Sequence, residues 1–178
     1  KSCVSAWLDL ETRVTRAREE KKACGLLMSD LQGAFDVLSK DTLLPKLIMC
    51  GFSQAAVAML ESYLTNRTAR TKIGDHLSSV RNVDQGSGQG SVAGPLLWVL
   101  HLLCSPAVVE RSKKIIEDSS HPERPPGMPV FTSTQYSILE VIFADDVNHL
   151  VTADSNENVL WVMQVLQGQY FKYFSSYI

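Results

Sequence analysis

Three aspartates combine the residue type and the placement that metal-assisted chemistry requires. Asp30 follows the apolar run at residues 24–28, which predicts a buried strand, and Asp145 and Asp146 form a predicted turn between two strands. Acidic groups at the ends of neighbouring strands would repel one another, and Mg²⁺, which prefers a few carboxylates plus substrate phosphates, relieves that repulsion. Such a cluster supports phosphoryl chemistry. An ordinary turn is the alternative, because Asp bonds readily to its own backbone in turns.

The glycine-rich segment at residues 86–91 has the composition of a phosphate-cradling loop. It matches neither standard template, because Ser91 stands where a dinucleotide-binding fingerprint needs glycine and no Lys followed by Ser or Thr completes a P-loop. A flexible turn is the alternative interpretation. The four histidines show no metal-ligand spacing and receive no role.

Basic residues cluster on a hairpin predicted over residues 68–83 around the turn pair Gly74-Asp75. They are suited to contact a phosphate backbone, although a solvated hairpin face is the alternative. These residues are Arg67, Arg70, Lys72 and Arg81.

The overall charge argues mildly against a dedicated nucleic-acid binder. Seventeen basic and nineteen acidic residues give a net charge of -2, whereas such binders usually carry a basic surplus. The four cysteines are scattered without a Cys-x-x-Cys pair, which predicts reduced, buried thiols in an intracellular protein, in nucleus or cytoplasm, rather than a disulfide framework or a zinc site.

Helical and strand patterns alternate along the chain and predict an α/β or α+β layered fold. Asp41, Ser53 and either Ser155 or Asn156 are the expected helix caps, and Pro95 is expected at the first position of a helix. Apolar residues predict helices that include residues 7–17, 43–48, 57–64, 95–100, 105–116 and 159–166, and strands over 24–28, 138–143 and 147–151. Residues 117–129 hold four of the seven prolines and are expected to form a loop or insertion.

The chain's ends and apolar runs bear on its context. The 178 residues begin with Lys1, and the segment that follows lacks the layout of a signal peptide, so we expect a piece of a longer protein. The longest apolar run falls far short of the ~20 residues that cross a bilayer, so no transmembrane helix is expected.

Three stretches, in order along the chain, resemble motifs of reverse transcriptases. They are residues 29–36 (SDLQGAFD), the first catalytic motif; residues 89–97 (QGSVAGPLL), the glutamine–glycine motif; and residues 143–146 (FADD), the aromatic-Ala-Asp-Asp motif. The segments between these motifs, notably LLPKL at 43–47 and SYLTNR at 62–67, most closely resemble the corresponding sequences of non-LTR (LINE-like) retrotransposons. The resemblance covers most of residues 5–165.

This resemblance implies a fold and a mechanism. The fold would be α+β, a polymerase palm-type antiparallel sheet backed by helices with part of the fingers, and residues 1–178 would form a partial reverse transcriptase domain. Asp30, Asp145 and Asp146 match the carboxylates that hold two Mg²⁺ ions. One ion would activate the primer 3′-hydroxyl for attack on the α-phosphate of a dNTP, and the other would stabilise the departing pyrophosphate.

Further residues acquire roles by the same resemblance. Phe35 matches the aromatic residue that crowds the 2′ position of the sugar and favours deoxynucleotides. Gln89 and Gly90 match residues beside the incoming nucleotide and template. The expected partners are an RNA template, a DNA primer and dNTP, with no membrane. Arg67, Arg70 and Lys72 are the residues assigned to nucleic-acid binding.

The chain also departs from the family pattern. The family has a longer fingers region before the first motif, and beyond the Asp-Asp hairpin it continues into a lysine-bearing motif, a primer grip and a thumb. We therefore expect the thumb to be absent and 117–129 to be a loop insertion. Three hypotheses follow: an RNA-directed DNA polymerase fragment, a catalytically inactive retroelement remnant with at most nucleic-acid or protein binding, and an unrelated Mg²⁺-dependent phosphotransfer enzyme.

Overall fold

The computed structural model describes residues 3–29, 33, 35–36, 38–88, 90–143 and 146–175, with the backbone alone for Cys3 and Phe143. The described chain divides into two compact units. The first, which we call the sheet unit, combines the N-terminal helix and strand with the described residues from Ser105 to Ser175. The second, the helical unit, contains the intervening elements up to Cys104.

The sheet unit is built from three helices and three strands in the described residues. Its elements are α1 (Cys3–Glu19), β1 (Ala23–Ser29), α5 (Ser105–Glu117), β6 (Tyr136–Phe143), β7 (Asp146–Ala153) and α6 (Asn156–Ser175). The helical unit holds short strands between its helices. Its elements are α2 (Lys40–Met49), α3 (Gln54–Leu64), β2 (Arg67–Ala69), β3 (Lys72–Ile73), β4 (His76–Leu77), β5 (Arg81–Val83), α4 (Ala93–His101) and a 3₁₀ helix (Leu102–Cys104).

The strands of the sheet unit form one antiparallel sheet in the order β1-β7-β6. The hairpin β6-β7 runs from the pair Tyr136–Ala153 to the pair Phe143–Asp146, and β1 lies antiparallel on the other side of β7. The predicted α+β class with an antiparallel sheet is therefore confirmed, and the α/β alternative is wrong, because no described strand pair is parallel.

The two faces of this sheet carry different helices. Residues alternate between the faces of a strand, and the face that includes Val147, His149 and Val151, each fully buried, packs against α5 and α6. Gly25 lies on this face, and a Cβ there would come within 2.6 Å of Val159 Cγ1 on α6. Helix α6 therefore approaches β1 closely because residue 25 has no side chain.

Helix α1 lies on the opposite face and covers part of it. An open pocket of about 430 Å³ separates α1 from the sheet and is lined from the sheet by Ser137, Leu139, Leu150 and Thr152. These residues have the opposite parity to Val151, which places α1 across the sheet from α5 and α6. Of the apolar residues whose spacing predicts this helix, Ala17 is buried and Leu10 and Val14 are half-buried, whereas Trp7 is 68% exposed.

The proline-rich segment after α5 forms turns fixed by one arginine. Arg124 Nη1 donates to the carbonyls of Ile115 and Ile116 at 2.8 and 2.6 Å, so it satisfies carbonyl groups at the end of α5. Its Nη2 also donates to the carbonyl of Pro129. The segment is thereby held against the helix from which it leaves.

Several local predictions are corrected by the backbone. Helix α2 is capped by Ser39, whose hydroxyl accepts from the Asp41 amide at 3.2 Å, and Asp41 lies in the first turn. The polar side chain that stands one residue before the helix makes the cap, and the carboxylate favours the positive end of the helix dipole. Ser53 caps α3 as predicted, and Ser155 rather than Asn156 accepts from an amide of α6.

Two further expectations differ from the structure. Helix α4 begins at Ala93, so Pro95 lies at its third position rather than its first.

The thiols of Cys24, Cys50 and Cys104 are free, as expected, but none of them is buried, and Cys50 is exposed. The prediction of buried thiols is therefore wrong for these three cysteines, because Cys50 stands at the solvent-facing end of a helix.

One helical stretch in the described chain, Ala93–Glu117, is long and apolar enough to cross a membrane by length and composition alone. Its mean hydropathy over an 18-residue window is 1.4, and half of that window is buried inside the protein. Core helices of proteins without membrane spans pass the same test. The stretch is thus weak evidence for a span, and the expectation of none stays a prediction.

Candidate active site

The ends of three strands meet at one edge of the sheet unit. Ser29, the last residue of β1, pairs with Val147, and Phe143, the last residue of β6, pairs with Asp146, the first residue of β7. The edge therefore brings the end of the apolar run at 24–28 beside the start of the second strand of the FADD hairpin.

One of the three predicted metal ligands lies within the described residues. Asp146 is exposed at the start of β7, whereas Asp30 and Asp145 lie outside the described residues. Among the side chains that the structure describes, no group of three or more His, Cys, Asp or Glu residues has the arrangement of a metal site. The convergence of the three carboxylates stays a prediction.

The sheet face beside this edge presents apolar side chains. Met28 exposes 71% of its surface and Leu26 exposes 41%, and both lie on the face opposite α5 and α6. Their cross-strand partners on β7 are Asn148 and Leu150. Helix α1 lies toward the other end of this face, near Ser137 and Thr152. The described part of the face is thus least covered near the three strand ends.

A buried polar cluster lies under the opposite face. Glu140 on β6 and His149 on β7 are cross-strand partners, with His149 Nε2 3.3 Å from Glu140 Oε2. Ser105 at the start of α5 donates to Glu140 Oε1 at 3.0 Å, and the Tyr170 hydroxyl of α6 donates to Glu140 Oε2. One carboxylate therefore joins both strands of the hairpin to both helices behind it.

The electrostatics of this cluster favour an ionised Glu140. Burial by itself would raise the pKa of the Glu140 carboxyl, but the hydrogen bonds from His149, Tyr170 and Ser105 outweigh it and lower that pKa below its ordinary value. Burial, reinforced by the neighbouring Glu140 carboxylate, raises the pKa of Tyr170 far above its ordinary value. Tyr170 hence stays a hydrogen-bond donor across the physiological range.

Sequence reasoning missed this cluster, since it assigned the histidines no role. The position of the FADD turn could have revealed it. Glu140 lies three positions before Phe143, and His149 lies three positions after Asp146. In a hairpin of that register the two residues are partners on one face.

In the helical unit, the first motif packs against the glycine-rich loop. The Ser87 amide donates to the Phe35 carbonyl at 2.8 Å, and the Gly86 amide donates to the Leu38 carbonyl at 2.7 Å. Gly86 has a φ of 80°, and a Cβ there would lie 3.1 Å from the Asp36 backbone. Glycine is therefore required twice over, by the backbone conformation and by the close approach.

The Phe35 side chain is half-buried beside α4. Its ring lies 6.2 Å from that of Trp98, and a Cβ at Gly94 would come 3.8 Å from it. Gly90 has a φ of 81°, and Gln89 lies outside the described residues. Two of the three residues assigned to substrate binding thus belong to the part of the helical unit where residues 35–36, residues 86–88 and α4 adjoin.

An open groove of about 480 Å³ runs beside this loop. It is lined by Asp36, Arg67, Val83 and residues 85–88. Arg67 is half-buried, and its Nε donates to the Leu64 carbonyl at 3.3 Å, which holds the guanidinium near the end of α3. The groove thereby brings together one basic residue of the sequence analysis, the Asp36 carboxylate and the glycine-rich loop.

The other basic residues lie on the predicted hairpin, which the structure divides into two short ladders. Strand β2 pairs with β5 and strand β3 with β4, around the Gly74-Asp75 turn. Arg70 and Lys72 are exposed, as is Arg81. Their charges face solvent. This agrees both with contact to a phosphate backbone and with a solvated hairpin face, the two interpretations that the sequence left open.

The sequence was compared with protein families and with curated proteins. A scan against sequence profiles of protein families gave no match for this chain. A curated fruit-fly protein (Drosophila melanogaster), "Probable RNA-directed DNA polymerase from transposon BS", is 33% identical over 89 residues, which is 50% of this chain and 10% of that protein. The match thus spans about a tenth of the relative's length. It supports a reverse-transcriptase-like relationship for this chain.

Proposed function

We propose that this chain is part of the RNA-directed DNA polymerase domain of a non-LTR (LINE-like) retrotransposon. In this proposal the sheet unit is the palm, and the chain contributes to two-metal transfer of a nucleotide from dNTP to a primer 3′-hydroxyl. The partners are an RNA template and a DNA primer, and no membrane is involved. The similarity to a transposon RNA-directed DNA polymerase supports the coarse assignment.

The observation that carries the proposal is the register of the sheet. Asp30 is the next residue in sequence after Ser29, and Ser29 pairs with Val147, the neighbour of Asp146. Two motifs that are distant in sequence are therefore attached to adjacent strand ends. This register is the one that a shared site for the two motifs requires.

The donor chemistry at this edge fits magnesium. Asp146 offers exposed carboxylate oxygens, the ligand type that Mg²⁺ prefers, and the proposal assigns the remaining ligands to Asp30 and Asp145. When bound, a pair of Mg²⁺ ions supplies Lewis-acid stabilisation of the attacking and leaving oxygens. The chain's own part is to hold the carboxylates on an antiparallel ladder whose strands are joined through Glu140 to the helices behind.

The proposal also gives the helical unit a role. Phe35 is assigned to the sugar of the incoming nucleotide, and Gln89 and Gly90 to the nucleotide and template. Arg67, Arg70 and Lys72 are assigned to the nucleic-acid backbone. The contact between residues 35–36 and the loop at 86–88 supports a shared role for the first and second motifs. Exposed cations on a hairpin are also the usual means of phosphate-backbone contact.

Primer extension on an RNA template tests the proposal directly. We expect Asp146→Asn, and likewise Asp145→Asn, to abolish dNTP incorporation, a loss of roughly a hundredfold or more, because each removes a charged ligand. Asp154→Asn is the matched control: Asp154 is also exposed, follows the other end of β7, and should leave incorporation unchanged.

The outcomes separate the hypotheses. Incorporation that survives Asp146→Asn contradicts the proposed mechanism. A wild-type chain that binds primer–template without extending it supports the inactive remnant instead. In that case Lys72→Ala should still weaken nucleic-acid binding, and its effect should decrease as the salt concentration rises.

A further inference from the structure

A pair of thiols and a buried amine lie together in the helical unit, and none of the three is a residue assigned to polymerase chemistry. Cys50 caps the C-terminus of α2, and its amide donates to the Lys46 carbonyl at 2.9 Å. Cys104 ends the 3₁₀ helix that follows α4. The Cys50 and Cys104 side chains lie within interaction range of each other, although the two residues are far apart in sequence. Both thiols are free.

Lys46 fixes the geometry of this cluster. Its side chain is only 7% exposed, and its Nζ donates to the His101 carbonyl at 3.0 Å. His101 ends α4, and Cys104 follows it by one short 3₁₀ turn. The lysine thus ties the C-terminal turn of α2, which carries Cys50, to the segment that carries Cys104.

We propose that Cys50 and Cys104 are a redox modification site, which a peroxide or a glutathione-type disulfide converts to an intramolecular disulfide. The inference is independent of the proposed polymerase function. It depends on the contact between two free thiols, one of them exposed to solvent, and on the lysine that holds their backbones together.

The reaction balances with hydrogen peroxide as the oxidant. The exposed Cys50 sulfur, as thiolate, attacks one peroxide oxygen, and the O–O bond breaks, which gives the Cys50 sulfenic acid and one water. The Cys104 sulfur then attacks the Cys50 sulfur and displaces the hydroxyl group as a second water. Two S–H bonds are lost, one S–S bond forms, and the two electrons reduce the peroxide to two waters.

The neighbouring amine influences the second step. Burial raises the pKa of the Cys104 thiol, and the nearby Cys50 raises it further, whereas the charge of Lys46 acts in the opposite direction. Burial also lowers the pKa of Lys46 to about 8. Because Cys50 is exposed and Cys104 is half-buried, the first attack on the oxidant is assigned to Cys50 and the resolving role to Cys104.

Peptide mapping after mild oxidation tests this inference. The purified chain is treated with hydrogen peroxide, or in parallel with oxidised glutathione, at low protein concentration, alkylated, and digested without reductant. We expect a cross-linked peptide pair containing Cys50 and Cys104, formed at a rate independent of protein concentration and reversed by dithiothreitol. The Cys50 and Cys104 thiols should lose their reactivity toward a thiol reagent at the same rate.

Serine variants provide the matched comparison. Cys104→Ser should abolish the cross-link while Cys50 is still oxidised, and Cys50→Ser should slow the loss of the Cys104 thiol at least about tenfold, because Cys104 then lacks the neighbouring sulfenic acid that it attacks at a high effective concentration. Cys24→Ser is the control, since Cys24 lies on β1 in the sheet unit and should leave the cross-link unchanged.

The wild-type map alone decides the question even where a variant fails to fold. A Cys50–Cys104 cross-link in the reversible, concentration-independent fraction supports the inference. Mixed disulfides confined to Cys50, links between chains, or independent loss of the two thiols would overturn it.

Discussion

The sheet unit and the helical unit differ in how their strands are held. In the sheet unit β7 is paired along seven residues with β1 and along eight with β6. In the helical unit the two ladders join three and two residue pairs. Long ladders open only when many hydrogen bonds break together, whereas short ones fray readily. The Asp146 hairpin therefore lies on the stiffer frame and the basic hairpin on the more adaptable one.

The two units also bury polar groups differently. In the sheet unit one carboxylate, Glu140, accepts hydrogen bonds from two helices and a strand. In the helical unit Ser87 Oγ and Trp98 Nε1 have no hydrogen-bond partner within the described residues, and His149 Nδ1 of the sheet unit also has none. Substitutions in the sheet unit should therefore have the larger effects on stability, and the following predictions test that difference.

The largest effect is expected for Glu140→Ala. Removing the carboxylate leaves Ser105, His149 and Tyr170 without their shared acceptor in a buried site, which should lower the free energy of unfolding by about 3 kcal/mol. Urea denaturation measures the change. Glu110→Ala is the control, because its exposed ion pair with Lys113 contributes little, under about 1 kcal/mol. Equal costs for the two variants would contradict the assigned role of the cluster.

A second, somewhat smaller effect is expected where α6 meets β1. A valine at Gly25 would place its Cβ 2.5 Å from Met163 Sδ and 2.6 Å from Val159 Cγ1, so Gly25→Val should cost about 2 kcal/mol. Gly168→Ala on α6 should stabilise the chain by about 0.5 kcal/mol, since nothing lies within 4 Å and alanine favours helix. Thermal unfolding of both variants checks this. A neutral Gly25→Val would show that α6 can move away from the sheet without cost.

A third effect concerns the helical unit and appears only in acid. Burial and the nearby Lys46 charge lower the pKa of His101 to about 4, from an ordinary value of 6.5. Between these values the unfolded chain binds a proton on His101 that the folded chain does not, so stability is lost as the pH falls from 6.5 to 4. The free energy of unfolding of the wild type should therefore fall, relative to that of His101→Phe, as the pH is lowered over this range. A pH-independent difference would show that His101 titrates alike in both states.

The smallest effect is expected on the basic hairpin. Lys72 is exposed on the two-residue strand β3, so Lys72→Ala should change the free energy of unfolding by less than about 0.5 kcal/mol. Chemical denaturation of the variant, compared with Gly25→Val, measures the contrast between the units. A cost above about 1 kcal/mol would mean that this hairpin is held by contacts its exposed side chains do not suggest.

Much of the local structure could be predicted from the sequence. The helical spacing of the apolar residues between Trp7 and Ala17 predicted α1, and the β-branched run before Phe143 predicted β6. These patterns report which face of one element is buried, and that depends on neighbours a few residues away. The cap of α2 was misassigned by two residues, because Ser39 and Asp41 both have side chains able to cap a helix.

The candidate site was predicted only in part. The three aspartates and the substrate-binding residues came from motifs, and the structure describes Asp146, Phe35 and Gly90 among them. The Glu140–His149 partnership and the Cys50–Cys104 contact were not predicted. Each depends on a pairing between strands or helices, and no local pattern around either residue reports its partner.

The sequence by itself determined the order of the motifs, the alternation of helices and strands, and the similarity over 89 residues to a transposon RNA-directed DNA polymerase. Only the tertiary structure decided that β1 ends beside the start of β7, that Glu140 joins the sheet to two helices, and that Cys50 reaches Cys104. The reason is physical: local hydrogen bonds and periodic burial are encoded in neighbouring residues, whereas strand register and helix packing arise when distant segments bury their apolar faces together.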